Sequence, residues 1–358
     1  MNHLKKTFIF LLALVAILSV SGCSQNAGSQ GAQPGGSTPP PEQTEQKPVT
    51  VVDAIDREVA VPDSIERVAI TCQGGTTHQI SVMGASGKIT AQPAMTQFPM
   101  LLKMFPHFNS VINGGSFDNV NIEEIIKADP DMVFVGVTSA KGNKLIEDTG
   151  FATYTMYIGS ADVETQKKEF GMTGTLLGNP GRANEVVQYY TSKLAMVEKL
   201  VAKVPEAEKK SVYYVNGGIT KASSGVWGDS LITGSGGINV TKEFAQGAKG
   251  AEISVEQVMQ WNPDVIVTQK AQGNLEAITG DTRASDLSAI KNRQVYQFPI
   301  GAFWWDRPSP EAPLGFMWLA TVLYPEYTKE IDLKKETKDF YKTFYNYELS
   351  DEEYASFF

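Results

Sequence analysis

The stretch Pro180–Val204, PGRANEVVQYYTSKLAMVEKLVAKV, places apolar residues at Ala183, Val186, Val187, Tyr190, Leu194, Val197, Leu200, Val201 and Val204. Spacings of three and four gather these side chains on one stripe, so the segment is predicted to be an amphipathic helix. Asn179 is the expected cap for its first-turn amides, and Pro180 sits where a missing N–H has no cost. Pro205 ends the run. At 1.5 Å per residue this helix spans roughly 37 Å, enough to join two lobes and not merely cross one.

Two flanking segments support a duplicated architecture. VNIEEIIKADPDMVFVG (Val120–Gly136) precedes the helix and ISVEQVMQWNPDVIVTQ (Ile253–Gln269) follows it, aligned without a gap at an offset of 133. Only Glu123/Glu256, Pro130/Pro263 and Asp131/Asp264 are identical. The pattern is shared throughout: a short helix bearing a Glu, a proline turn that forbids helix continuation, then an apolar, β-branched run of the kind that forms a buried parallel strand. A second expected pairing sets Gln73-Gly74-Gly75, after RVAITC, against Asn216-Gly217-Gly218, after SVYYV. The fold class is therefore α/β, with two Rossmann-like lobes, each on a parallel sheet, joined by one long helix. The lobes are expected at 49–160 and 206–326, with connecting helices at 161–205 and a helical tail at 327–358.

At the N-terminus, Lys5 and Lys6 precede TFIFLLALVAILSV, too short for a stable membrane span but suited to an export signal over residues 1–22. The residues Leu18-Ser19-Val20-Ser21-Gly22-Cys23 resemble the lipobox of bacterial lipoproteins, in which the cysteine is lipidated; the alternative is an ordinary secretory signal with an incidental Cys23. Residues 24–47 lack aromatic and large aliphatic side chains, so 23–48 reads as a lipidated cysteine and a tether with an end-to-end distance of roughly 27 Å. The expected location is the extracytoplasmic face of a membrane, held by the lipid.

Loss of Lys5 and Lys6 with the leader lowers 31 basic residues to 29 against 40 acidic ones, a formal charge of −11, which argues against nucleic acid as a partner. With Cys23 lipidated, Cys72 is the remaining thiol, leaving no intramolecular disulfide and no cysteine zinc or iron–sulfur site. The mature chain holds two histidines, His78 and His107, too few for a His-rich zinc or manganese receptor. No Ser-His-acid spacing or Walker loop points to catalysis, and no resident cofactor or metal is expected.

In open α/β sheets ligands lie beyond the carboxyl ends of the strands. That rule selects the loops 72–78, 93–99, 113–119 and 138–143 in the first lobe, and 216–229, 269–274 and 299–310 in the second. Gly74 and Gly75 permit close approach, while Gln73, Thr76 and His78 offer polar groups; His78 either touches ligand or only begins the next helix, and Cys72 reads as a small buried strand residue. In the second lobe Ser224 and Trp227 stand in one loop. The other reads PIGAFWWDRPSP, where Trp304 and Trp305 offer flat faces, at least one of them toward a cleft, and Arg307 either faces an anion or braces the loop.

The lipobox, the Gly-rich loop after the first strand, the Asn-Ile-Glu…Asp-Pro-Asp module, the Leu177-Gly178…Ala183…Tyr190…Leu194 helix and the late segment WDRPSPEAPLGFMWLATVLYPE together resemble the helix-linked (class III) substrate-binding lipoproteins of bacterial ABC importers for ferric siderophores, haem and cobalamin. The resemblance covers about Val49–Glu326. It implies a monomeric receptor that clasps a metal chelate or corrinoid between its lobes with little motion, the metal arriving inside the ligand. It also implies that Glu123 and Glu256 dock on a dimeric permease. A molybdate or tungstate receptor on the same scaffold is the alternative, since Ser223, Ser224, Arg307 and backbone amides suit an oxyanion. An enzyme or a structural adhesin leaves the clustered Trp and Arg unexplained.

Overall fold

Apolar, β-branched runs form the central strands of two sheets in the computed structural model of the chain, which describes residues 50–73, 75–223, 225–244 and 250–358. The leader, Cys23, the tether, Gly74 and Ser224 lie outside the described residues. In the first lobe the strands Ile112–Asn113, Ile89–Gln92, Val68–Ile70, Met132–Gly136 and Thr153–Met156 lie side by side in that order, all parallel. In the second, Ser211–Val215, Val265–Gln269 and Val295–Phe298 are parallel neighbours, and Ile238–Asn239 pairs parallel with the start of Ser211–Val215. The two α/β lobes of the sequence reading are present, with one addition. Lys221–Ala222 and Ala251–Glu252 extend the second sheet in antiparallel sense.

The period of two along each strand divides the interior. Met132 and Phe134 join a large core to which Val212, Tyr214, Val265 and Val267 of the second lobe also belong. Val133 and Val135 face the other way, into a smaller core with Ile125 and Ala128; Tyr213 and Ile266 do the same with Val258. One core is thus common to both lobes, while each lobe keeps a private one beneath its repeated helix.

The connecting helix runs Pro180–Val201, stopping short of Val204, and buries Ala183, Val186, Tyr190, Val197, Leu200 and Val201 in the common core. Each such aliphatic side chain stabilises the fold by about 1.5–3 kcal/mol relative to exposure. The helix Val163–Leu176 packs closely against it: a Cβ on Gly174 would stand 2.3 Å from that of Ala183. Gly178 makes the turn between them at φ +76°. Asn179 is not the cap that the sequence suggests, because its side-chain amide donates to the Met83 carbonyl at 2.9 Å and so ties the helix start to the first lobe.

The repeated modules agree in detail. Their helices are Ile122–Ala128 and Val255–Trp261, capped at the start by Asn121 and Ser254 and ended by Asp129 and Asn262 at φ 46° and 41°. The repeated aspartates act as clamps: Asp131 accepts from the Glu66 and Arg67 amides at 2.8 and 2.7 Å, and Asp264 accepts from the Ser211 amide at 2.8 Å. Each carboxylate fixes the entrance of the neighbouring strand. The second expected pairing does not hold. Gly75 opens a helix, Gly75–Val82, whereas Asn216–Gly218 turns into the added antiparallel strand and the corresponding helix waits until Gly225.

The tail does not stay with the second lobe. Its helices Leu333–Tyr345 and Asp351–Ser356 reach back to the connecting helix, where Arg182 donates to the Thr343 carbonyl at 2.6 Å, and to the first lobe, where Lys103 pairs with Glu353 at 2.5 Å. Lys270 of the second lobe donates to the Phe357 and Phe358 carbonyls. The lobes are therefore tied at a second place besides the connecting helix.

Candidate ligand-binding cleft

Beyond the carboxyl ends of the strands Val68–Ile70, Met132–Gly136 and Thr153–Met156 lies a cavity of about 330 Å³ walled by both lobes. From the first lobe come Gln73, Thr76 and Gln79, with Phe117 and Met156 adding apolar surface. The second lobe contributes Gln269, Phe303, Trp304, Arg307 and Pro308. The two walls meet closely at Gly75, where a Cβ would stand in ordinary contact with the Phe303 ring at 3.4 Å and the Pro308 carbonyl at 3.6 Å.

Loop 299–310 sorts its own residues by how it is braced. Trp305 is fully buried and its indole N–H donates to Glu311 Oε2 at 2.9 Å, while the Ala302 amide donates to the Tyr341 hydroxyl at 2.6 Å. Behind the loop, the Trp227 indole donates to the Asp306 carbonyl at 3.1 Å and the Tyr214 hydroxyl donates to the Asp306 carboxylate. These contacts hold Phe303, Trp304 and Arg307 at the cavity, Trp304 backed by Phe98 at 4.8 Å between ring centroids. Arg307 stays partly exposed, its Nε 3.5 Å from Asp306 Oδ2.

Of the sequence-selected residues, then, Gln73, Thr76, Trp304 and Arg307 line one cavity. His78, Trp227 and Trp305 do not. His78 fails for a geometric reason: Thr76 and Gln79, three apart, share the cavity side of their helix, and His78 points away from it. It is fully buried against Phe303 and Tyr345, its Nε2 3.6 Å from Glu311 Oε1, and burial pushes its pKa down to about 3. Trp227 and Trp305 serve the loop from behind, because a buried indole needs an acceptor and finds one there. Cys72 is a buried strand-end thiol 2.9 Å from the Thr76 hydroxyl, pushed up to about 12 by burial and held protonated.

Sequence reasoning overlooked the wall supplied by the helix Val163–Leu176. Gln166 and Glu169 both line the cavity and are both buried, bonded to each other at 3.3 Å. Glu169 Oε2 accepts from the Tyr157 amide at 2.7 Å, Gln166 donates to Gln79 at 3.4 Å, and Gln79 donates to Thr173 at 2.7 Å. Burial raises the Glu169 pKa to about 7 against those two donors. The missed signal was available: Gln166, Glu169, Phe170 and Thr173 repeat at three and four, placing polar groups on the inward stripe of a helix. Ile158, next to this network, lines the cavity at φ +52°, a conformation β-branched residues rarely adopt.

A family model described as periplasmic binding protein matches residues 70–300. The chain belongs to the periplasmic binding protein family. Similar proteins include the molybdate-binding protein MolA of Haemophilus influenzae, 24% identical over 319 residues covering 82% of this chain and 90% of that one. A solved structure of MolA bound to molybdate matches with a TM-score of 0.75 at 22% identity, over 84% of this chain and 99% of the other. An uncharacterised ABC transporter substrate-binding lipoprotein of Bacillus subtilis, YvrC, is 22% identical over 91% of this chain and 99% of its own. A cobalamin-binding protein of Halobacterium salinarum is 21% identical over 80% and 76%. Among the described residues no helix is long and apolar enough to cross a membrane.

Proposed function

We propose that this periplasmic binding protein is anchored through lipidated Cys23 at the extracytoplasmic face of a membrane, captures an anionic metal chelate of the siderophore class between its lobes, and passes it to an ABC permease dimer. The observation that carries this reading is the second-lobe wall, where Phe303 and Trp304 stand beside Arg307. Aromatic faces gain most from flat or apolar ligand surface, and a guanidinium pairs with carboxylate or hydroxamate-type oxygens. Haem and corrinoids share these features in part. A volume of about 330 Å³ lies at the small end of sites for organic ligands and favours a compact chelate over them.

Molybdate is the second reading, favoured by the likeness to MolA. A bare oxyanion has no use for three aromatic rings, and the Glu169 carboxyl in the wall opposes it unless protonated. Delivery rests on Glu123 and Glu256, both exposed at equivalent helix starts. The test is fluorescence titration of the purified protein with a ferric chelate, haemin, cobalamin and molybdate, read through Trp304. Quenching with a rise in melting temperature by the ferric chelate alone supports the proposal; response to molybdate alone replaces it with the oxyanion reading.

A further inference from the structure

The described residues include four fully or almost fully buried carboxyls, and three have partners that account for them. Asp53 holds Arg57, whose Nε and Nη2 both donate to its Oδ2. Asp306 has Tyr214 and Arg307. Glu311 takes the Trp305 indole, the Ala302 amide and the Tyr345 hydroxyl, with His78 at 3.6 Å. Glu169 and Glu311 both lack a cationic partner among the described residues, since the buried His78 imidazole is uncharged at neutral pH, but Glu169, whose donors are the Tyr157 amide and the Gln166 side chain, alone of the four lines the ligand cavity.

A buried carboxylate without a countercharge is costly, and one that borders a cavity is placed to take its partner from a ligand. The surrounding groups cannot. Tyr154, Tyr157 and Cys72 are the titratable neighbours, each carrying a proton at neutral pH because burial raises its pKa. Gln79 and Gln166 are engaged with each other, with Thr173 and with Glu169 itself. The carboxyl is nevertheless fixed, tied to the amide of Tyr157 immediately before the strained Ile158, so a ligand meets it in one position.

We propose that Glu169 is a specificity-determining ligand contact: it selects a chelate that bears an ammonium or comparable cationic N–H donor, while Arg307 takes an anionic group of the same molecule. This rests on the chelate reading given above and narrows its ligand to an amphoteric one. A simple oxyanion, with no donor at neutral pH, gains nothing from Glu169 in its charged form. No bond is made or broken; only a proton moves, since a cation beside Glu169 lowers its pKa and releases proton to the buffer on binding.

The experiment compares a ferric hydroxamate chelate carrying a carboxylate and a free amine with its N-acetylated form, and with molybdate, on the full chain and on Glu169→Gln. Gln keeps an acceptor for the Tyr157 amide, and Glu169→Asp, which retains charge but withdraws by one methylene, serves as a second variant. The amine form is expected to bind about tenfold more tightly than the N-acetyl form, with proton release seen by calorimetry in two buffers. The preference shrinks as pH falls through about 7, and it is abolished in Glu169→Gln and weakened in Glu169→Asp. A merely structural Glu169 would shift the melting temperature of both variants and leave the amine preference intact. Equal binding of both chelates, unchanged in the variants, overturns the Glu169 contact and leaves the chelate reading standing. Binding of molybdate alone, or of none of the three, overturns both.

Discussion

The two lobes repeat their scaffold and not their site. The modules Val120–Gly136 and Ile253–Gln269 share helix limits, left-handed helix ends and an aspartate clamp on the neighbouring strand. The loops that line the cavity share none of this. In the first lobe the chain leaves Val68–Ile70 and enters a helix whose first turn carries Thr76 to the cavity; in the second the equivalent exit becomes an antiparallel strand, and the wall comes from loop 299–310 instead. Duplicated parts are those whose job is to hold a strand or end a helix, which is the same job in both lobes. Contact with one asymmetric ligand has no such symmetry.

The largest expected effect tests the asymmetric wall by separating two adjacent residues. Trp305→Ala removes a fully buried indole and deprives Glu311 Oε2 of its donor while the Ala302 and Tyr345 bonds to Oε1 remain, so a loss of about 3–5 kcal/mol is expected in denaturant unfolding. Trp304→Ala, at the cavity, should cost much less stability and should remove most of the ligand-dependent fluorescence change. If the two variants unfold alike and bind alike, the loop does not divide its work as the contacts indicate.

That division was only half legible in the sequence. The helices, strands and lobes follow from periodicity and from proline and glycine punctuation, which are local. Which of Trp304 and Trp305 faces the cavity depends on Glu311 and Tyr341, the second of them in a tail helix that returns from the far end of the chain, and no spacing announces that return. His78 was misplaced because its helix is buried all round, so polarity gave no clue to orientation. Glu169 was missed because a helix read as a connector also forms a wall.

A smaller effect sharpens the symmetric half of the comparison. Asp131 accepts from the two amides just before its neighbouring strand and from the Arg67 side chain, Asp264 from one amide and the Ser211 hydroxyl. Loss of charge-assisted bonds at these partly exposed sites should cost about 1–2 kcal/mol for Asp131→Ala and somewhat less for Asp264→Ala. The amide bond from Glu66 and the contacts with Arg67 hold the Asp131 pKa below the usual carboxylate range. A depressed folded value means stabilisation that is complete above the unfolded pKa and lost as pH falls through the folded one, so the penalty of Asp131→Ala should fade below about pH 4. A penalty independent of pH would show that packing and not the charged clamp carries the effect.

The smallest expected effect on folding is also the most direct test of why one charged position was repeated. Glu123 and Glu256 are exposed and stand in the first turn of equivalent helices; neither forms a salt bridge among the described residues, though the charge of Glu256 acts on nearby Arg283. At a helix start a carboxylate contributes roughly 0.3–1 kcal/mol through the helix dipole, a benefit Asp or Glu at neighbouring positions could supply as well. That benefit alone does not explain identity at both positions in modules that otherwise agree at a proline and an aspartate. Two like permease subunits would meet the two lobes at matching points, and arginines there would pair with both glutamates. Glu123→Gln combined with Glu256→Gln should therefore leave melting temperature within a degree or two and ligand affinity unchanged, while receptor-stimulated ATP hydrolysis by the permease falls. Each single variant should lose part of the stimulation, since one of the two subunits keeps its contact. Full stimulation by the double variant would mean that the repeated glutamates serve only their own helices, and that the lobes' resemblance ends at the scaffold.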